Sequence, residues 1–219
     1  ELVSYATSVA EMLKMKVTAL SIGKADEDEL KKLGKYGAGK IINVTNEHLK
    51  VIDNQVYTKV IADVALKEGS KVIIFSNNIN GKALAPRLSV RLRGGIGTGV
   101  SKLPLSLNPF TVYRRAYSGN AFAHMIIKSD IKILTLTQNS FDVVEKPTGA
   151  VPETVSIDVE ESSVKTTVTD THKQTGKILL TDADIVVSGG RGMKSPDNWE
   201  PLVELASLLN GATACKACF

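Results

Sequence analysis

The sequence predicts an α/β fold built on an open, mostly parallel sheet, and three observations carry that reading. Short apolar runs bounded by polar residues, such as Lys71-Val72-Ile73-Ile74-Phe75 and Ile185-Val186-Val187, read as buried parallel strands. They alternate with amphipathic helical stretches at spacings of about 10–15 residues, the rhythm of βαβ units. From Thr111 the rhythm changes to that of a β-hairpin, so the sheet is expected to end with antiparallel members.

The composition is that of a globular chain. Of 219 residues, 43% are hydrophobic and 23% charged, enough apolar material for a sizeable core. Twenty-seven basic against 23 acidic residues leave a net charge of +4, and aromatics make up only 5%. That balance does not point to nucleic acid, whose binding asks for a basic patch and stacking platforms. No apolar run approaches the ~20 residues of a membrane span, so no membrane insertion is expected.

The first element is an amphipathic helix in which Leu2, Ala6, Val9 (or Ala10) and Leu13 recur at helical spacing. A βαβ fold places a strand ahead of such a helix and none precedes Glu1, so the chain reads as lacking its first strand. Residues 17–22 form the next strand and end at Gly23. The acidic cluster Asp26-Glu27-Asp28-Glu29 suits the first turn of a helix that continues through Leu30 and Leu33 to Gly34 or Gly37. A strand over residues 40–44 follows, then a helix from Gln55 to Lys67 with Val56, Val60, Ile61, Val64 and Ala65 on one face.

Beyond the strand at 71–75, the loop Ser76-Asn77-Asn78-Ile79-Asn80-Gly81 opens a helix carrying Leu84, Leu88 and Leu92 on one stripe. Ligands in open α/β sheets bind outside the carboxyl ends of strands, which makes this loop a candidate site. A plain strand-to-helix connection is the favoured reading. Arg87, Arg91 and Arg93 along that helix are read as a solvated face or a protein contact. The run Gly94-Gly95-Ile96-Gly97-Thr98-Gly99 lacks the G-K-[ST] of a phosphate loop and is expected to be a flexible connection.

Residues 111–117 and 121–127 alternate as two strands around the turn Ser118-Gly119-Asn120. Residues 130–137 add a further strand at this antiparallel end, residues 145–152 a loop, and residues 155–159 one more strand. From Glu160 to Thr181 the chain is polar and threonine-rich, most hydrophilic at Lys173-Gln174-Thr175-Gly176-Lys177, and this is the best domain boundary. The expected domains are therefore residues 1–181 and 182–219.

The second domain opens on the stretch with the most chemistry. After the strand at 185–187 come Ser188-Gly189-Gly190-Arg191-Gly192, and a helix is expected to start at Asp197 or Asn198, either a good N-cap. Strand, glycine turn and helix start make a phosphate-binding arrangement, in which Gly190 and Gly192 admit the ligand and Arg191 supplies a bidentate donor. Cys215 and Cys218 share C-x-x-C spacing, but zinc needs two more ligands and His48, His124 and His172 lie far off in sequence. An incidental pair is favoured over a metal or redox site. No Ser-His-Asp order, nor any other set of catalytic acid, base and nucleophile, is evident.

Three segments carry a family resemblance. Val186-Val187-Ser188-Gly189-Gly190-Arg191-Gly192-Met193-Lys194-Ser195, followed by an apolar helix with Leu202, Leu205, Ala206 and Leu209, resembles the signature of the electron-transfer flavoprotein alpha subunits. Tyr113-Arg114-Arg115-Ala116-Tyr117-Ser118-Gly119-Asn120-Ala121 is similar to the R-x-x-Y-[AS]-G-N-A segment of their first domain. Leu33-Gly34-Lys35-Tyr36-Gly37-Ala38-Gly39-Lys40-Ile41 resembles a helix-to-strand junction there.

The resemblance implies a Rossmann-like first domain followed by the first βα unit of a second, FAD-binding domain. It implies an electron carrier rather than an enzyme with its own substrate. Such a subunit pairs with a beta subunit and passes electrons from flavin dehydrogenases, those of fatty acid β-oxidation among them, to a quinone-linked acceptor. The FAD would be held mainly by the second domain, while the first packs against beta, which usually carries AMP. The setting it implies is the bacterial cytoplasm, or the mitochondrial matrix if the source is eukaryotic.

By the same resemblance Arg191, flanked by Gly190 and Gly192, stands at an FAD-contacting position. The family's next contact is a serine in a G-A-S-R or A-C-S-R segment. Ala214-Cys215-Lys216-Ala217 occupies that region and places Lys216 where the serine belongs. Later flavin-wrapping motifs would fall beyond Phe219, so the end reads as a truncation or a shifted frame, and these 219 residues alone are expected not to bind FAD stably. Two other readings stand beside this one. The first is an adenine-nucleotide module using the Ser76-to-Gly81 loop, and the second is a partner-docking module whose contact is the hairpin around Ser118-Gly119-Asn120.

Overall fold

A computed structural model describes residues 1–157, 166, 168–170, 178, 180 and 183–215. The chain divides into two compact units, Glu1–Thr167 and Val168–Phe219. The threonine-rich boundary region, including Lys173 to Lys177, and the tail from Lys216 to Phe219 lie almost wholly outside the described residues.

The first unit is the α/β domain that the alternation of elements predicts. Helix α1 (Leu2–Leu13) leads to β1 (Thr18–Ile22), α2 (Glu27–Gly34), β2 (Lys40–Thr45), α3 (Asn54–Lys67), β3 (Val72–Ser76) and α4 (Ile79–Leu92). The helix starts are chemically specified. Asp26 caps α2 by accepting from the N–H groups of Asp28 and Glu29, and Asp53 caps α3 by accepting from Gln55 and Val56. Asn78 caps α4 through the N–H of Gly81, so the stretch read as a loop ends earlier and Ile79 already belongs to the helix.

Beyond α4 come β4 (Gly95–Val100), β5 (Ser106–Leu107), β6 (Phe110–Ala116), β7 (Ala121–Ile127), β8 (Lys132–Leu136) and β9 (Pro152–Ser156). The glycine run expected to be a flexible connection is therefore strand β4, paired in parallel with β8. Its glycines are there for contact. A Cβ on Gly95 would stand 2.6 Å from a methyl of Ile127, and one on Gly97 would stand 3.1 Å from Leu134. Only a strand without side chains on that face lets its neighbours close over it.

Two further expectations are corrected. The strand read at residues 130–137 is not at the antiparallel end: as β8 it lies between β3 and β4, parallel to both. It is buried, with Ile133, Leu134 and Thr135 wholly so, because both edges and both faces are covered. Strand β9 starts at Pro152, earlier than its valine pattern suggested, and runs parallel to β2. Proline is tolerated as the first residue of an edge strand, which is where it stands.

The sheets are ordered β1-β2-β9 and β3-β8-β4-β6-β5, with β7 on β6. The hairpin β6–β7 pairs in antiparallel register from Phe110↔Ile127 to Ala116↔Ala121, so the antiparallel end is present as predicted. One part of the core gathers Val56, Val60, Ile61, Leu84 and Leu88 from α3 and α4 against Ile42, Val44 and Ile133. Another gathers Tyr5 and Val9 of α1 with Val100, Phe110, Val112, Ile127 and Leu134.

In the second unit, β10 (Val186–Gly189) and β11 (Ala212–Cys215) pair in parallel around α5 (Glu200–Leu208). This goes one strand further than the expected βα unit: the residues after the helix make a complete βαβ. The strand is less buried than its apolar run suggested, with Ile185 42% and Val186 45% exposed. Two strands and one helix cannot cover both faces of a sheet.

Candidate functional site

The candidate residues of the second unit share one turn. Strand β10 ends at Gly189, Gly190 is extended, and Arg191–Met193 form a 3-10 turn closed by N–H groups of Met193 and Lys194 donating to Gly190 and Arg191 carbonyls at 3.0 and 3.1 Å. The Asn198 side chain donates to the Met193 carbonyl at 2.7 Å and ties this turn to the next. The helix does not start at Asp197 or Asn198. Ser195 caps a second 3-10 turn, Pro196–Trp199, and α5 follows from Glu200 with no side-chain cap. Proline at the first position and a serine hydroxyl ahead of it account for that extra turn.

The glycines divide by role. Gly189 is required by packing: a Cβ there would stand 2.6 Å from Leu202 Cδ1 and 3.3 Å from Trp199 Cη2, so the strand can lie against α5 only without a side chain. Gly190 and Gly192 face open space, with nothing within 4 Å of a Cβ on either, and neither has a positive φ. Nothing in the unit itself asks for glycine at these two positions. Both leave the backbone open to the close approach of an external group, and Arg191 lies exposed between them. Gly189, the glycine of this turn with an internal reason, was passed over in the sequence; Gly211 has one too, since a Cβ there would stand 2.6 Å from the Ile185 carbonyl oxygen. The signal for Gly189 was the apolar pair Trp199 and Leu202 spaced to lie over the strand end.

The charges at the turn are mixed. Arg191 and Lys194 are followed in the chain by Asp197 and Glu200, the last in the first turn of α5. Acidic residues favour a helix N-terminus for themselves, so an anion brought to this turn would meet the arginine and the turn amides more than the helix. The residues present thus fit one edge of a dinucleotide: a glycine cradle left open, with one guanidinium, at the carboxyl end of a parallel strand.

The loop after β3 is committed to structure. Asn77 accepts at Oδ1 from the buried Thr135 hydroxyl at 2.9 Å, and that hydroxyl accepts from the Gly99 N–H at 2.9 Å. Asn78 is occupied as the cap of α4. Gly81 is needed because a Cβ would fall 1.8 Å from the Ser76 carbonyl oxygen. These contacts explain the loop as a strand-to-helix connection.

The hairpin carries an exposed face that the sequence reading located only at its turn. Tyr113 stacks on Phe122 with ring centroids 5.1 Å apart, tilts against His124 at 5.8 Å, and has the Lys102 ammonium 4.7 Å from its centroid. Phe122 is 61% exposed, Ile126 51% and Tyr117 83%. The period-2 set Phe122, His124 and Ile126 was the signal available.

Cys215 lies exposed at the end of β11, and Cys218 is outside the described residues. Among the described residues, no group of three or more His, Cys, Asp or Glu is placed to hold a metal. Also among them, no helix is long and apolar enough to cross a membrane.

Comparison with known proteins bears on both units. Residues 1–162 match the electron transfer flavoprotein domain, and residues 179–217 match the electron transfer flavoprotein FAD-binding domain. An electron transfer flavoprotein subunit alpha of Bacillus subtilis is 30% identical over 201 residues, covering 91% of this chain and 62% of the relative. The subunit of that name in Clostridium acetobutylicum is 28% identical, covering 99% and 67%, and a Protein FixB of Escherichia coli is 26% identical, covering 94% and 66%. The chain spans about two thirds of the length of these curated relatives or a little less.

Proposed function

The chain belongs to the electron transfer flavoprotein family, and on that premise we propose that it acts as part of an alpha subunit carrying electrons through FAD. The donors in this reading are flavin dehydrogenases, including those of fatty acid β-oxidation. The acceptor is quinone-linked, the setting is the bacterial cytoplasm, and the partner is a beta subunit. Residues 1–181 are assigned to the first domain and 182–219 to the start of the FAD domain, a reading supported by family matches over residues 1–162 and 179–217.

The observation that carries the reading is the open turn Gly190-Arg191-Gly192 at the end of β10, inside the segment that matches the FAD-binding domain. When bound, the flavin supplies the redox chemistry, and the protein contributes binding, orientation and electrostatics. Arg191 would offer its planar donor fork to a phosphate or flavin carbonyl oxygen, while Gly190 and Gly192 keep the backbone within reach. Leu202 and Trp199 hold the strand end in place from beneath.

The docking face for beta is assigned to the hairpin side chains Tyr113, Phe122 and Ile126, supported by the stacking of Tyr113 on Phe122, the exposure of Phe122 and Ile126, and the basic Arg115 and Lys102 paired with or lying over that set. FAD titrated into the 219-residue chain is expected to shift the amide resonances of residues 190–192 at millimolar ligand, with the shifts lost in Arg191→Gln. Shifts confined to residues 76–81 would instead place an adenine-nucleotide site in the first domain.

A further inference from the structure

Helix α4 turns one face inward and leaves the other uncovered. Leu84, Ala85 and Leu88 are buried in the core of the first unit, which fixes how the helix is rolled. On the outside Ile79 is 81% exposed and Val90 80%, and Pro86 between them is exposed as well. At about 100° per residue, the positions 7 and 11 beyond Ile79 return to within about 20° of it. The three side chains therefore form one line, about 16 Å long, along the outermost surface of the helix.

The flanks of that line are cationic. Lys82 lies about 60° to one side of Ile79, and Arg87 and Arg91 lie about 80° and 120° to the other. Arg93 follows as the C-cap, and all four side chains are exposed. Residues 79–93 contain no Asp or Glu. Helix α2 shows the ordinary treatment of such charge, since Lys31 and Lys32 each pair with a carboxylate three or four residues earlier in the same helix. On α4 nothing comparable is present. Among the described residues none of its four cations is in an ion pair. Arg87 donates to the Ala83 carbonyl at 3.0 Å and its charge acts on Asp53, which leaves Lys82, Arg91 and Arg93 for a partner.

Pro86 is costly to the helix, because it supplies no N–H to the Lys82 carbonyl, and being exposed it returns little packing to the core. What it adds is a rigid apolar ring in the middle of the line.

An anionic membrane would have to admit this face to a depth of about 5–10 Å. A line one residue wide, without an aromatic and locked to a sheet from behind, cannot sink that far. A second copy of the chain would have to bring a free acidic face. The acidic cluster from Asp26 to Glu29 is instead occupied with the cap of α2 and with Lys31 and Lys32. Area narrows the choice further: a line of this length and about 10 Å of width offers a few hundred Å², well short of the ~800 Å² per partner of a stable complex. The contact is that of a transient protein, held by charge. Three of the four cations are arginines, whose planar donor fork fits a carboxylate bidentately.

We infer that the outer face of α4 is a docking site for an acidic amphipathic helix of a transient protein partner. Its apolar stripe lies along Ile79, Pro86 and Val90, and its flanking Asp and Glu side chains meet Lys82, Arg91 and Arg93. None of these residues belongs to the flavin turn or to the hairpin, so failure of either of those assignments leaves this face untouched.

The probe is a synthetic peptide of about 18 residues, capped at both ends, with leucines at helical spacing and glutamates on both flanks. A control peptide has the same composition in scrambled order. Each is titrated into the isotope-labelled 219-residue chain. Amide shifts are expected to concentrate on residues 79–93, with an affinity about tenfold above that of the scrambled control. That affinity is expected to fall about tenfold in Arg91→Glu, and again as salt rises from about 50 to about 300 mM. Val90→Ser, which keeps every charge, is expected to lose about threefold. Both side chains are exposed, so both variants should fold as the parent does, which circular dichroism checks. Equal binding of the two peptides, shifts confined to other residues, or an affinity that Arg91→Glu leaves unchanged would each overturn the inference. So would co-sedimentation of the chain with vesicles of one part phosphatidylserine to three of phosphatidylcholine while the peptide fails to bind, since the face would then belong to a membrane.

Discussion

Single residues set the local outcomes, and their effects can be stated with a sign. Asp53 is the clearest. Burial alone would raise its carboxyl, but the N–H groups of Val56 and Gln55, with the Thr166 side chain and the Arg87 charge, together outweigh that and hold it below the ordinary carboxylate value. A depressed folded value means that the stabilisation is present above about pH 4 and is lost as pH falls through the folded value. Asp53→Ala is expected to cost about 1 kcal/mol at neutral pH in urea denaturation. The deficit of Asp53→Asn, which keeps a cap without the charge, should shrink below pH 4. Gly81→Ala is expected to cost about 1–3 kcal/mol, because its Cβ has a backbone oxygen in the way and no side chain that can yield. Gly190→Ala, facing open space, should leave stability within about 0.5 kcal/mol while weakening any flavin-induced shift. The sequence could mark both glycines as special. It could not say which faces packed atoms and which faces open space, because that depends on what stands across the gap.

Elements were legible where the chain itself signals their limits. The caps Asp26 and Asp53 and the apolar stripe from Val56 to Ala65 placed α2 and α3 to within a residue or so. Legibility failed where a neighbour decides. Gly95–Val100 has the composition of a loop and is a strand because Ile127 and Leu134 leave no room for side chains. Helix α5 starts late because Pro196 and Ser195 organise a turn of their own ahead of it. The hairpin bears the prediction of this scale. Phe122→Ser should leave the melting temperature nearly unchanged, since the ring is mostly exposed, and should weaken association with an electron-transfer flavoprotein beta subunit about tenfold or more in a titration. An unchanged affinity would remove the hairpin from the interface.

At the scale of the whole molecule, the alternation of elements disclosed an α/β sheet with an antiparallel end, and the signature residues disclosed the family. Strand order was not legible, because no local pattern says that residues 132–136 insert between two strands that precede them. The second unit's single βαβ offers one edge of a crevice that a dinucleotide normally spans in full. The 219-residue chain, incubated with FAD and passed through a desalting column, is therefore expected to emerge without stoichiometric visible flavin absorbance. A yellow protein near unit stoichiometry would refute this. The placement of β8 also has a meaning for synthesis. A ribosome releases β3 and β4 well before the strand that bridges them, so both emerge with an edge waiting. Until Leu136 has cleared the exit tunnel, the nascent chain carries β3 without its β8 partner and β4 open on the edge away from β6. Its demand for chaperones should peak over that interval and fall abruptly once the central strand drops in.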